Sequence, residues 1–294
     1  MIRILQGFSG RAARVCRAMV LIVAGAMTLT AAASAQEDVE LTAEQQGAID
    51  WAQQRGELLY RYDQAAWHGT DAFLADYQAD RDGEFMRGYV VVEGEQGRLD
   101  AVFFGDFGAG LVEAARYSVD GGTVVSGTYY DEDSRPPLSA KAIRMAEVRQ
   151  VAFNAMREEE LGLCANSAPN TVVLPPDAAG NIEVYVLTPP TSNDSYPLGG
   201  HYRFTIDSDD EVSDWRRFLN SCFALQAGPQ QDDNGDPVTP TMLVVSHLLD
   251  PQPTEVHFFA THYFGLPVAV ITVDNDLVWT IGGGRFQGAF AVTP

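Results

Sequence analysis

Between Gly88 and Tyr130 the chain reads as short strands broken by tight turns, and no other feature constrains the fold as strongly. Residues 89–93 are rich in β-branched side chains, 94–97 supply a turn, 99–104 return and 111–119 follow. Asp120-Gly121-Gly122 then leads into a fourth run at 123–130. Glycine in such a connection accepts the positive φ that a tight hairpin requires. Strands joined by connections this short pair antiparallel, because a parallel pair needs a long crossover. The expectation is an α+β chain dominated by antiparallel sheet in meanders.

Helices punctuate this pattern. Thr42-Ala43-Glu44-Gln45 has capping-box spacing, so a short N-terminal helix to about Gln54 is expected, closed by Gly56. A strand at 58–62 and a polar-aromatic patch at 65–71 would follow. Ser139 heads one long helix ending near Arg157, in which Met145, Val148, Ala152 and Met156 recur at helical spacing and read as core. Farther on, Tyr202, Phe204 and Ile206 alternate with His201, Arg203 and Thr205, the signature of a half-buried strand. Runs at 182–187, 242–248, 255–260, 268–273 and 277–281 also read as strands. The loop-rich stretch 158–180 separates an N-terminal region, 36–160, from a β-rich C-terminal region, 161–294, unless the two form one continuous domain.

The leader is a different kind of segment. Arg3, Arg11, Arg14 and Arg17 precede an uncharged apolar run at 18–33, which ends in Ala33-Ser34-Ala35. A basic front, an apolar core and small residues at two alternating positions are what a signal peptidase reads. The core is shorter than the roughly 20 residues of a spanning helix. A signal peptide over 1–35 is expected, cleaved between Ala35 and Gln36, with the product soluble in a bacterial periplasm or released, and not inserted in the membrane.

The whole chain carries a formal charge of −21, and residues 36–294 carry −25, because the leader removes four Arg and no acid. Lys141 is the only lysine. Such a surface repels phosphate backbones, so a nucleic-acid partner is not expected. Cys16 leaves with the leader; Cys164 and Cys222 remain and are expected to form a disulfide in an oxidising compartment.

Chemistry-bearing motifs are sparse. There is no G-x-S-x-G, no G-x-G-x-x-G and no H-E-x-x-H, and no cofactor is expected. Asp232-x-Asn234-x-Asp236 has alternating oxygens, but Gly235 comes one place too early for a calcium-binding hand loop, and it reads as a polar turn. His247, Asp250, Glu255, His257 and His262 form the densest set of metal-ligating residue types, and a metal-dependent hydrolase is the alternative reading they carry. Tyr60, Tyr62, Trp67, Tyr129, Tyr130 and Trp215 lie near polar segments and could stack on a sugar ring. His201, Arg203, Glu255 and His257 are the expected docking residues, facing outward from neighbouring strands, with Arg203 either receiving a carboxylate or phosphate or pairing internally with Glu255. The functional expectation is a non-catalytic binding or interaction protein of the cell envelope, with a small ligand or an envelope protein as partner.

Overall fold

The computed structural model describes residues 38–77, 82–108, 110–232 and 234–292. The expected signal peptide and its cleavage site at Ala35 and Gln36 lie outside these residues.

Helix α1, Ala43–Asp76, starts where its cap predicts: Thr42 Oγ1 accepts the Gln45 N–H at 3.2 Å, and the Gln45 side chain accepts the Thr42 N–H at 3.0 Å. It then continues for 34 residues, about 50 Å at 1.5 Å per residue. It does not stop at Gly56, and the expected strand at 58–62 is part of it. Its buried residues, including Ile49, Ala52, Gly56, Leu59, Tyr62, Ala66, Gly69 and Phe73, recur every three or four positions, a helical period. Gly56 is a point of close approach: a Cβ there would lie 2.6 Å from Phe258 Cβ and 2.8 Å from the Glu255 carbonyl oxygen. Gly69 plays the same part against Ala101, whose Cβ would lie 2.3 Å away.

Strands β1 (Met86–Glu93), β2 (Leu99–Asp106), β3 (Leu111–Asp120) and β4 (Thr123–Tyr129) form the expected antiparallel meander in the order β1-β2-β3-β4. Alternation along β2 sends side chains to two covered faces. Ala101 and Phe103 meet α1, where Phe73 stacks on Phe103 at 4.1 Å. Val102 and Phe104 meet helix α2, Ala140–Glu158, whose Ser139 cap accepts the Ala142 N–H at 3.2 Å. The Met145, Val148, Ala152 and Met156 stripe is buried in this core, as its spacing predicts.

The second sheet joins β5 (Asn170–Val173), β6 (Ile182–Leu187), β8 (Tyr202–Ile206) and β9 (Val212–Arg217), all antiparallel. Short β7 (Ser195–Pro197) pairs with β10 (Ala224–Gln226), and β11 (Gln230–Gln231) with β12 (Pro237–Val238). Val184, Val186, Phe204 and Ile206 share the core with α2, whereas Tyr185 and Leu187 point into the core that contains α1. Because both faces are covered, His201 is fully buried and Arg203 is not an outward-facing residue. Residues on both sides of position 160 contribute to both large cores, and Gln36–Pro294 form one compact unit.

The third sheet runs β13 (Leu243–His247), β14 (Val268–Thr272), β15 (Leu277–Gly282), β16 (Arg285–Ala291). Its β13–β14 pair is parallel and the rest is antiparallel. A parallel pair demands a crossover, and the crossover is helix α3, Glu255–Phe264. The expected strand at 255–260 is therefore a helix. Val256, Phe258, Phe259 and Ala260 are all buried. A segment apolar on every side loses the period that separates helix from strand. Gly265, left-handed at φ 63°, ends it. The Cys164–Cys222 disulfide, with Cα atoms 5.3 Å apart, ties together positions separated by 58 residues. Among the described residues no helix is long and apolar enough to cross a membrane.

Candidate ligand-binding pocket

The extension of α1 past Gly56 creates a cavity. Tyr60, Asp63, Gln64 and Trp67 stand at i, i+3, i+4 and i+7, a single stripe of the helix. Opposite them, the last turn of α3 supplies His262 and Tyr263. Asn170 at the start of β5, Tyr196 on β7, residues 190–193 and Ser195 close the sides. The space enclosed is about 520 Å³, within the range of small-molecule sites.

Asp63 is the chemical centre of this cavity. It is 3 % exposed. Tyr263 donates its hydroxyl to Asp63 Oδ2, and Asn170 Nδ2 donates to Oδ1 at 3.2 Å. Burial pushes the carboxyl up to about 6, against the opposing pull of the Tyr263 and Asn170 hydrogen bonds and the His68 charge. Burial and the neighbouring Asp63 together raise the Tyr263 hydroxyl far above its ordinary value, so it stays a donor.

Aromatic rings form the walls. Tyr60 stacks on His262 with centroids 4.4 Å apart and planes 14° from parallel, and Tyr196 lies 4.6 Å from Tyr263. Trp67 is 49 % exposed and stacks on His68 at 5.1 Å. His262 lies against Gly284, where a Cβ would fall 2.1 Å from Nε2. Burial lowers the His262 imidazole, leaving it neutral near pH 7, and its Nε2 has no hydrogen-bond partner among the described residues. Among the described residues the lining holds one carboxylate, that of Asp63, and neither Lys nor Arg.

The residues singled out by sequence fall into three places. Arg203 donates from Nη1 to Glu255 Oε1 at 3.1 Å, Tyr185 donates its hydroxyl to the same oxygen at 3.1 Å, and Arg55 pairs with Glu183 at 3.2 Å. This is the internal ion pair, not an outward docking surface. His201 accepts the Thr188 N–H at Nδ1 (3.0 Å) and bonds the Pro197 carbonyl through Nε2 (2.6 Å), so both ring nitrogens are used in the core. Burial holds its pKa down to about 4.

His247, Asp250 and His257 form a second cluster. His247 Nε2 bonds Asp250 Oδ2 at 2.8 Å, and Arg216 grips the same carboxylate with two bonds, at 3.1 and 2.7 Å. The His247 and His257 rings meet edge to face at 4.7 Å. His257 Nδ1 accepts the Thr254 N–H at 3.1 Å, which puts the ring hydrogen on Nε2. Metal ligation through that Nε2 would need an imidazolate, a poor fit beside a backbone donor. Glu255 is committed to Arg203, and His262 belongs to the aromatic cavity. Among the described residues no group of three or more His, Cys, Asp or Glu is arranged to hold a metal. In the expected polar turn, Asp232 Oδ1 accepts the N–H groups of Asn234 and Asp236, both at 2.9 Å.

Sequence reasoning picked out Tyr60, Trp67 and His262 but missed Asp63, Asn170, Tyr196 and Tyr263. The available signal was the 60-63-64-67 stripe, hidden by ending the helix at Gly56. No family model matches the chain, and neither do the curated proteins or the solved structures.

Proposed function

We propose that the chain is exported to the bacterial cell envelope through residues 1–35, and that the remainder serves there as a non-catalytic binding protein for a small molecule. The observation that carries this reading is the Asp63 cavity, with stacked aromatic walls and a polar rim around one buried carboxylate. Its chemistry favours binding over turnover. Glycosidic hydrolysis uses two carboxylates, and among the described residues Asp63 is the only one in the lining. Ser195 Oγ accepts a hydrogen bond from Gln226 at 2.8 Å, so this hydroxyl is held by an amide. The test is capture. The purified protein is dialysed against the low-molecular-mass fraction of periplasmic extract and examined by native mass spectrometry. A bound molecule retained by the wild type and lost in Tyr60→Ala/Trp67→Ala supports the reading. An unliganded wild type, or equal retention by the variant, refutes it.

A further inference from the structure

We infer that the Asp63 cavity selects a small organic ammonium ion, seated against the aromatic walls with its charge toward the Asp63 carboxylate. This deepens, and rests on, the reading of the cavity as a ligand site.

The argument begins with charge. The Asp63 carboxylate is buried, yet its two direct partners, Tyr263 and Asn170, are neutral donors. A buried charge without a counter-charge is costly. Among the described residues no Lys or Arg lines the cavity to supply one, His262 is held neutral by burial, and His68, which acts on Asp63 only through space, is not part of the lining. A ligand cation would complete the site. A neutral polyol would leave the charge uncompensated, and an anion would be repelled.

The walls decide which kind of cation. Tyr60, Trp67, Tyr196 and Tyr263 all line the cavity. Aromatic faces attract an alkylammonium through their quadrupole, and the attraction grows when water is excluded. A bare inorganic cation instead needs a shell of six or more oxygens, typically with several carboxylates, and Asp63 stands alone. The acidic surface acts in the same direction at long range: at −25 over residues 36–294 it raises the local concentration of cations.

The test is calorimetric titration of the exported protein with choline and with 3,3-dimethylbutan-1-ol, its uncharged carbon isostere, at pH 7.5. Choline should bind at least tenfold more tightly than the isostere. Asp63→Asn should remove that preference without lowering the melting temperature, and Tyr60→Ala should weaken choline independently of Asp63. Equal affinity for the two probes, no choline binding, or an unchanged preference in Asp63→Asn overturns the inference. A parallel titration with maltose separates the two levels. Maltose binding lost in Trp67→Ala, with choline silent, removes the ammonium and leaves the cavity as a ligand site.

Discussion

Tyr263 donates its hydroxyl to the buried carboxylate of Asp63, joining the middle of α1 to the last turn of α3 across 200 positions of sequence. Both residues line the cavity, and burial of the Asp63 carboxyl sets a pH dependence that this bond partly opposes. Burial pushes the Asp63 carboxyl up to about 6 in the folded chain, from an ordinary value of 3.8. A raised carboxyl favours folding while protonated. That contribution is fully present below about pH 4 and is lost as pH rises through 6. The difference is on the order of 3 kcal/mol by linkage. Asp63→Asn should therefore be more stable than wild type at pH 8, by up to that amount, and nearly equal to it at pH 4. Urea unfolding at the two pH values measures this. The neutral buried His201 and His257 also destabilise the fold in acid, but they are common to both proteins and cancel in the comparison.

Arg203 answers to Glu255 rather than to an outside partner. The Glu255 side chain is 2 % exposed and that of Arg203 is 15 % exposed. Removing one member of such a pair strands a buried charge, at a cost of about 3–5 kcal/mol. Arg203→Ala should lose stability on that scale in denaturant unfolding. Arg203→Met/Glu255→Gln, which removes both charges, should lose much less. A loss below about 1 kcal/mol for Arg203→Ala, the range of surface pairs, would mean that the pair is not the structural link described.

The two glycines in the first half of α1 should respond in opposite directions to alanine. Gly47 is exposed and a Cβ there meets nothing within 4 Å, so Gly47→Ala should stabilise by about 0.5–1 kcal/mol through helix propensity. At Gly56 the same gain of about 1 kcal/mol competes with a Cβ pressed against Phe258 and the Glu255 carbonyl. Overpacking of this kind costs about 1–3 kcal/mol. Gly56→Ala should be destabilising in thermal melts. A stabilised Gly56→Ala would contradict the close approach of α1 and α3 at this position.

Much of this architecture is legible in the sequence. The β1–β4 meander follows from β-branched runs and Asp120-Gly121-Gly122, α2 from Ser139 and its apolar stripe, and the disulfide from the two remaining cysteines. What could not be read were the places where tertiary packing overrides local signals. Gly56 looks like a helix terminator because glycine usually is one, yet here it admits Phe258 and α1 continues. The 255–260 segment looks like a strand because its residues are buried on all sides. The same two signals conceal the candidate site, since Asp63 and Tyr263 lie on these two helices. Alternation puts Arg203 and His201 on the face opposite Tyr202, Phe204 and Ile206, but it cannot say that both faces are covered.

Cys164 and Cys222 close a long loop, and the chain-entropy model assigns such a bridge about 4 kcal/mol. Cys164→Ser/Cys222→Ser should lower the urea midpoint accordingly. Thiol counting of the unfolded, unreduced protein should find neither cysteine free. Two titratable thiols would remove the disulfide from the account.

The most direct test of the Asp63 cavity as a ligand site is chemical-shift mapping of the ¹⁵N-labelled protein as the low-molecular-mass periplasmic fraction is added. Saturable shifts are expected at the Trp67 indole N–H and the side-chain amides of Gln64, Asn170 and Asn193, all of which line the cavity. Signals that stay fixed at these four groups, while others move or none do, would contradict it.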